Sequence, residues 1–228
     1  MIQMSCRFLC LVIISVLIYS CAAAPKKVEI EKTQEVEPST VEIQKEPVHK
    51  EEEVKSLELF TEVLDLVESS DDRKAVLPQI EELYKKIIEQ YPQAPLAQES
   101  YWKLITIYVE DYSPPEYNKA EAMYYEFVGK YPKSFMKGFI EDTIGNSYYK
   151  NKNWERLLKL TSPMYREYLD SGNPPRASIM FMYAEAQYNL GNTAEAEKGY
   201  EITEKLFPKL IVGIKSRKML ETIKKYKD

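Results

Sequence analysis

Few side chains in this 228-residue chain are placed to do chemistry, and their positions decide which chemistry is open. Its one histidine is His49, its three cysteines are Cys6, Cys10 and Cys21, and no cysteine follows. A serine or cysteine triad needs an imidazole beside the nucleophile, and a zinc site needs several His or Cys ligands at set spacing. A lone histidine among lysines and glutamates supplies neither. Carboxylate pairs such as Glu81-Glu82 and Glu195-Glu197 stand among lysines, the pattern of a solvated helix face. With no GxGxxG and no GxxxxGK[ST], no phosphate cradle is predicted either. The residues point away from an enzyme, a cofactor, a metal or a small-molecule substrate.

Cys21 is the exception, because of what precedes it. Twelve apolar or nearly apolar residues, Phe8 to Tyr19, follow Arg7, the layout of a short basic n-region and an h-region. A bilayer span takes about 20 apolar residues. Counting on to Ala24 gives seventeen, so an uncleaved anchor in a thinned bilayer is the alternative. The stretch Leu17-Ile18-Tyr19-Ser20-Cys21-Ala22 resembles the bacterial lipobox, with an aliphatic residue three before the cysteine and a small one just before it. That resemblance implies a signal peptide over 1–20 and a lipoprotein whose first mature residue, Cys21, carries the lipid, palmitate included. Ala22 stands where lipoproteins retained in the inner membrane carry aspartate, which implies the periplasmic face of the outer membrane. One remaining cysteine excludes an internal disulfide, so packing alone must hold the fold.

From Pro25 to Glu53 the chain reads "PKKVEIEKTQEVEPSTVEIQKEPVHKEEE", without an aromatic residue or a sustained apolar period. Such a composition buries too little surface to offset its ordering entropy, so residues 21–53 are expected to form a disordered tether, about 30 Å in root-mean-square span. Removing residues 1–20 takes Arg7 from 31 basic groups and leaves 36 acidic ones, a net −6 that argues against nucleic acid as a partner.

Residues 54–228 are enough for one domain with a core. Windows such as "LELFTEVLDLVE", "IEELYKKIIEQ", "ESYWKLITIYVE" and "KAEAMYYEFVGK" place apolar residues three and four apart, and strand-like alternation is missing. The domain is predicted to be all-α, with helices near 54–69, 77–90, 96–110, 117–130, 136–151, 154–169, 175–190, 193–207 and 210–226. A repeat runs through them. Ile80, Tyr84, Ile87 and Pro92 recur at the same spacing as Ala120, Tyr124, Phe127, Pro132 and as Ala196, Tyr200, Thr203, Pro208; Leu157, Thr161, Met164 and Leu169 keep the spacing without the proline.

This pattern resembles the tetratricopeptide repeat (TPR): two antiparallel helices, small residues at their crossing, and a proline that ends the unit. Its longer "YPQAPLA" spacing is similar to that of outer-membrane tetratricopeptide lipoproteins such as the β-barrel assembly factor BamD. The resemblance covers roughly residues 57–226 and implies an α-solenoid of about four units plus a capping helix. Ile105 at a crossing, three added residues in "DYSPPEYN" and a long turn from Leu169 to Pro175 depart from the pattern.

The family fold further implies that the first helix of each unit lines the concave face. A partner groove would then draw on Glu99, Trp102, Thr106 and Val109, on Asp142, Asn146 and Tyr149, and on Phe181, Glu185, Tyr188 and Asn189. Trp102 and Phe181 have a second reading as interhelical packing. Tyr84, Tyr108, Tyr124, Tyr148 and Tyr200 fall at repeat-core spacing. Residues 209–228 hold seven basic groups against Glu221 and Asp228, an end suited to anionic lipid headgroups or an acidic partner. The expected function is a non-catalytic scaffold, lipid-anchored at the outer membrane, that binds a protein or peptide. The alternative is a dedicated subunit of an outer-membrane machine, such as a β-barrel assembly factor or a pilus or secretin pilotin.

Overall fold

The computed structural model describes residues 47–227, with side chains from 50 to 226. Cys21, the apolar run before it and the segment up to residue 46 lie outside the described residues. Among the described residues the chain forms α1 (Pro47–Ser69), α2 (Arg73–Gln90), α3 (Pro95–Thr106), α4 (Tyr117–Lys130), α5 (Met136–Lys150), α6 (Trp154–Ser171), α7 (Ala177–Asn189), α8 (Thr193–Leu206) and α9 (Ile211–Lys227). A π-helical turn, Ile107–Asp111, continues α3. The all-α solenoid is present, with each predicted helix in place.

Two helices start earlier than their apolar periods. α1 begins at Pro47, not at 54, so His49 lies on a helix and not in a tether. The Glu and Lys residues upstream are good helix formers, and tertiary contacts hold them: the Gln93 amide donates to Glu52 Oε2 at 3.3 Å, and Ser56 is fully buried. α2 begins at Arg73 because Asp72 caps it, accepting from the Lys74 amide at 2.9 Å. The Arg73 guanidinium reaches Asp111 at 2.8 Å and joins that start to the end of the π turn.

Three helices end alike, and the sequence says why. Tyr91, Tyr131 and Phe207, each followed by proline, have φ near −129°, −128° and −128°, with ψ at 53°, 60° and 47°. A residue before proline is pushed out of the α region, so the helix stops there. Each still donates its amide to the fourth residue back, and its carbonyl accepts from Ala94, Ser134 or Leu210 at 3.0 Å. The repeated Tyr/Phe-Pro pair is thus one repeated joint.

The helices pair in chain order, α1 with α2, α3 with α4, α5 with α6 and α7 with α8, and α9 closes the stack on α7 and α8. The first helices α1, α3, α5, α7 and α9 also touch one another in succession, forming one row. The core is correspondingly segmented, as in a solenoid. Ile87, Tyr101, Leu104, Ile105, Phe127 and Tyr148 belong to its largest part, while Phe181, Ala184, Ala196, Tyr200, Leu220 and Ile223 form a separate cluster under the C-terminal end. Tyr165 and Tyr183 stack at 3.9 Å in a third. At the α7–α8 crossing a Cβ on Gly199 would stand 2.9 Å from the Ala184 Cβ, so the backbones approach only because Gly199 lacks one.

Polar contacts repeat too. Tyr108 donates to Glu81 at 2.8 Å, and forty residues on Tyr148 donates to Glu121 at 2.5 Å. Burial alone would raise the Glu121 carboxyl, but hydrogen bonds from Tyr148 and Arg156 outweigh it and hold it below the usual carboxylate range. Glu81 is held low in the same way, by Lys85 and Tyr108.

The π turn accommodates the extra residues of "DYSPPEYN". Tyr112 donates its amide to the Ile107 carbonyl at 3.3 Å, closing the wider ring, and Glu116 donates to the Tyr108 carbonyl at 2.7 Å. Ser147 on α5 supplies a hydroxyl to the Val109 carbonyl at 2.9 Å. No helix among the described residues is long and apolar enough to cross a membrane.

Candidate partner groove

The row of first helices carries most of the predicted groove residues on one face, and they touch across the helix boundaries. On α3, Glu99 lies 3.9 Å from Lys103, and Thr106 bonds its own helix at the Trp102 carbonyl. Trp102 is half-buried: its indole N–H donates to Thr143 Oγ1 of α5 at 3.0 Å and its ring lies 6.1 Å from Phe139. On α5, Asp142 accepts from Arg176 Nε at 3.1 Å and from Ser178 at 2.9 Å, and Asn146 is exposed. Tyr149 donates to Glu185 Oε2 of α7 at 3.0 Å. The other oxygen of Glu185 accepts from Tyr200 at 2.6 Å, so this carboxylate is fixed by two phenols. Tyr188 lies edge-on to Tyr200 at 6.5 Å, and Asn189, exposed, bonds the Glu185 carbonyl.

Val109 is placed differently from the sequence expectation, and Phe181 takes its second reading as interhelical packing. Val109 is 2 % exposed and belongs to the core, because the π turn rotates it inward. Phe181, 7 % exposed, packs on Tyr149 and Tyr200 and forms a floor, not an exposed anchor. Of the tyrosines expected in the core, Tyr124 is only partly buried and donates to the buried Glu141 at 2.7 Å.

The structure adds residues that were not predicted. Phe135 and Phe139 are 78 % and 53 % exposed and meet edge to face at 6.3 Å, with Trp102 beside Phe139. They continue the stripe Phe135, Phe139, Asp142, Asn146, Tyr149 at steps of four, three, four and three. Extending the predicted face two turns upstream of Asp142 finds them. Further along the row, Asn146, Tyr149, Ser178, Phe181, Val212 and Lys215 line a pocket of about 190 Å³, with the Lys215 ammonium 5.8 Å from the Phe181 ring. A second cavity of about 230 Å³ lies against the π turn and shares Asn146.

Burial, and then Glu185, push the Tyr149 phenol up to about 12, so at neutral pH it is the donor in that pair. Among the described residues no cluster of His, Cys, Asp and Glu could hold a metal ion. What the face offers is half-buried aromatic surface, hydroxyl and amide groups, and a cation above an apolar pocket. That is the equipment of a peptide or protein contact.

Residues 179–209, spanning α7, α8 and the following joint, match the family described as Tetratricopeptide repeat. No curated protein and no solved structure matches the chain. The fold is a tetratricopeptide-like solenoid, an architecture that serves protein–protein interaction.

Proposed function

We propose that this chain is a non-catalytic scaffold, anchored in the cell envelope by a lipid on Cys21, that holds a protein or peptide along the row of its first helices. The observation that carries the binding surface is the exposed Phe135–Phe139 pair beside Trp102, on the same row as the Lys215 pocket. Aromatic side chains fixed by their neighbours and partly open to solvent are the groups that dominate interface energetics. The anchor rests on the apolar run that ends in Ile18-Tyr19-Ser20-Cys21. Two or more acyl chains make such an attachment effectively permanent, at about 0.8 kcal/mol for each buried CH₂. Outer membrane, periplasmic face, is the address this reading favours.

Capture from detergent-solubilised envelopes, with the full chain and its Phe139→Ala variant side by side, tests the groove. The scaffold reading expects a partner that the wild type retains and the variant loses; a secretin or an assembly barrel as that partner would make the chain a dedicated machine subunit. Equal capture by both refutes the groove. Cys21→Ser tests the anchor, with loss of lipid and of processing expected. If that variant still fractionates with membranes and the wild type keeps residues 1–20, the run is an uncleaved anchor instead.

A further inference from the structure

Among the described residues, seven of the eleven large apolar side chains that stay exposed are at the two ends of the helix stack: Val54, Leu57 and Leu64 on α1, and Leu210, Ile211, Ile214 and Tyr226 at α9. The terminal units of a solenoid ordinarily turn polar faces outward, since nothing stacks on them. Here both ends keep apolar stripes. Val54, Leu57, Thr61 and Leu64 follow one face of α1, turned from α2 and α3, and Val54, Leu57 and Thr61 with Glu58, Glu62 and Asp65 bound an open trough of about 400 Å³. On α9 the buried Ser216, Leu220 and Ile223 face α7 and α8, and Leu210, Ile211 and Ile214 face away.

The charges around these stripes are opposite. The exposed side of α1 carries Glu51, Glu53, Glu58, Glu62, Asp65 and Glu68 against Lys50 and Lys55, the latter paired with Glu51 at 2.8 Å. The exposed side of α9 carries Lys218, Lys224 and Lys225 against Glu221, with Arg217 paired to Glu204 at 2.7 Å and Lys215 set over the Phe181 pocket. Each end thus has an apolar stripe flanked by an excess of one charge, acidic at α1 and basic at α9. From this complementarity we propose that the outer face of α1 of one copy docks on the outer face of α9 of the next, joining copies of this chain head to tail. The two patches differ, so the contact is heterologous and repeats from copy to copy, closing into a ring or extending as a row. It leaves α3, α5 and α7 of the first-helix row uncovered, and it does not rest on the groove reading above.

Sedimentation velocity of the full chain tests this, because the charged residues are exposed and their reversal leaves the core alone. At low salt the wild type should associate in a concentration-dependent way, and high salt should weaken it by screening. Glu62→Lys with Asp65→Lys, or Lys218→Glu with Lys225→Glu, should each weaken association at least about tenfold, since like charges then face each other. The chain carrying all four substitutions should recover it, because acidic α9 then meets basic α1. A wild type that stays monomeric, including one that binds anionic vesicles through α9 instead, overturns the proposal. So does association that only one reversal affects, or that the fourfold variant fails to recover.

Discussion

Trp102 donates its indole N–H to Thr143 Oγ1 at 3.0 Å and so bridges α3 and α5, with the Lys103 ammonium 4.9 Å above the same ring. The side chain is both a joint between units and part of the surface. Phe139, 53 % exposed, touches the rings of Trp102 and Phe135 and is chiefly surface. Phe139→Ala should therefore keep stability within about 0.5 kcal/mol of wild type and weaken partner binding by about 2 kcal/mol or more. Trp102→Ala should lower stability as well, by roughly 1–3 kcal/mol. Thermal unfolding measured beside binding separates the two; normal binding by Phe139→Ala would place the partner elsewhere.

Gly199 and Gly129 both lie inside helices, and the same substitution should act on them in opposite directions. Alanine is favoured over glycine in a helix by about 1 kcal/mol. At Gly129 a Cβ meets nothing within 4 Å, so Gly129→Ala should stabilise by roughly that amount. At Gly199 the Cβ would stand 2.9 Å from Ala184 Cβ and 3.3 Å from its Cα, and overpacking of about 1–3 kcal/mol should outweigh the propensity gain. Urea midpoints of the two variants check this, and equal shifts would refute the close crossing.

Glu141 is 3 % exposed and is held by Arg176 at 2.9 Å and Tyr124 at 2.7 Å. Arg176→Ala leaves the buried carboxylate with Tyr124 and the more distant Lys137, 3.7 Å away, and should cost about 2 kcal/mol. Adding Glu141→Gln to that variant should recover part of the loss, because the unpaired charge goes with it. A double variant less stable than Arg176→Ala would show that the carboxylate matters for its phenol and not for its charge.

Stability should plateau between about pH 4.5 and 10, bounded by different groups. Burial pushes the phenols of Tyr84, Tyr149 and Tyr165 up to about 12. Their contribution is complete below the ordinary value of 10 and is lost as pH rises from there toward 12, because the unfolded chain ionises first. Glu81 and Glu121 are held below the ordinary 4.5, so theirs is present above that value and lost as pH falls through the lowered folded ones. Denaturant midpoints across pH, with phenolate absorbance on the alkaline side, measure both edges. Phenols that all titrate near pH 10 before unfolding would contradict the burial.

The helices and their joints could be read from the sequence because their causes are local. Apolar residues at three-and-four spacing specify a helix whatever it packs on, and a proline after Tyr91, Tyr131 or Phe207 ends one, whereas Pro78 and Pro163 are carried inside α2 and α6. The forty-residue displacement that relates Ile80, Tyr84 and Ile87 to Ala120, Tyr124 and Phe127 was visible for the same reason. Contacts between distant segments decided the rest. Val109 turned inward because an insertion after it widened α3 into a π turn, and α1 gained two helical turns before Val54, where Glu52 accepts from the Gln93 amide. Phe139 and Phe181 look alike as apolar residues on first helices. One stays 53 % exposed and the other 7 %, because Tyr200 of α8 packs beneath Phe181 while the edge beyond Phe139 stays open. Periodicity marks which side of a helix is apolar; only the neighbours that arrive through tertiary packing determine which of those side chains are covered.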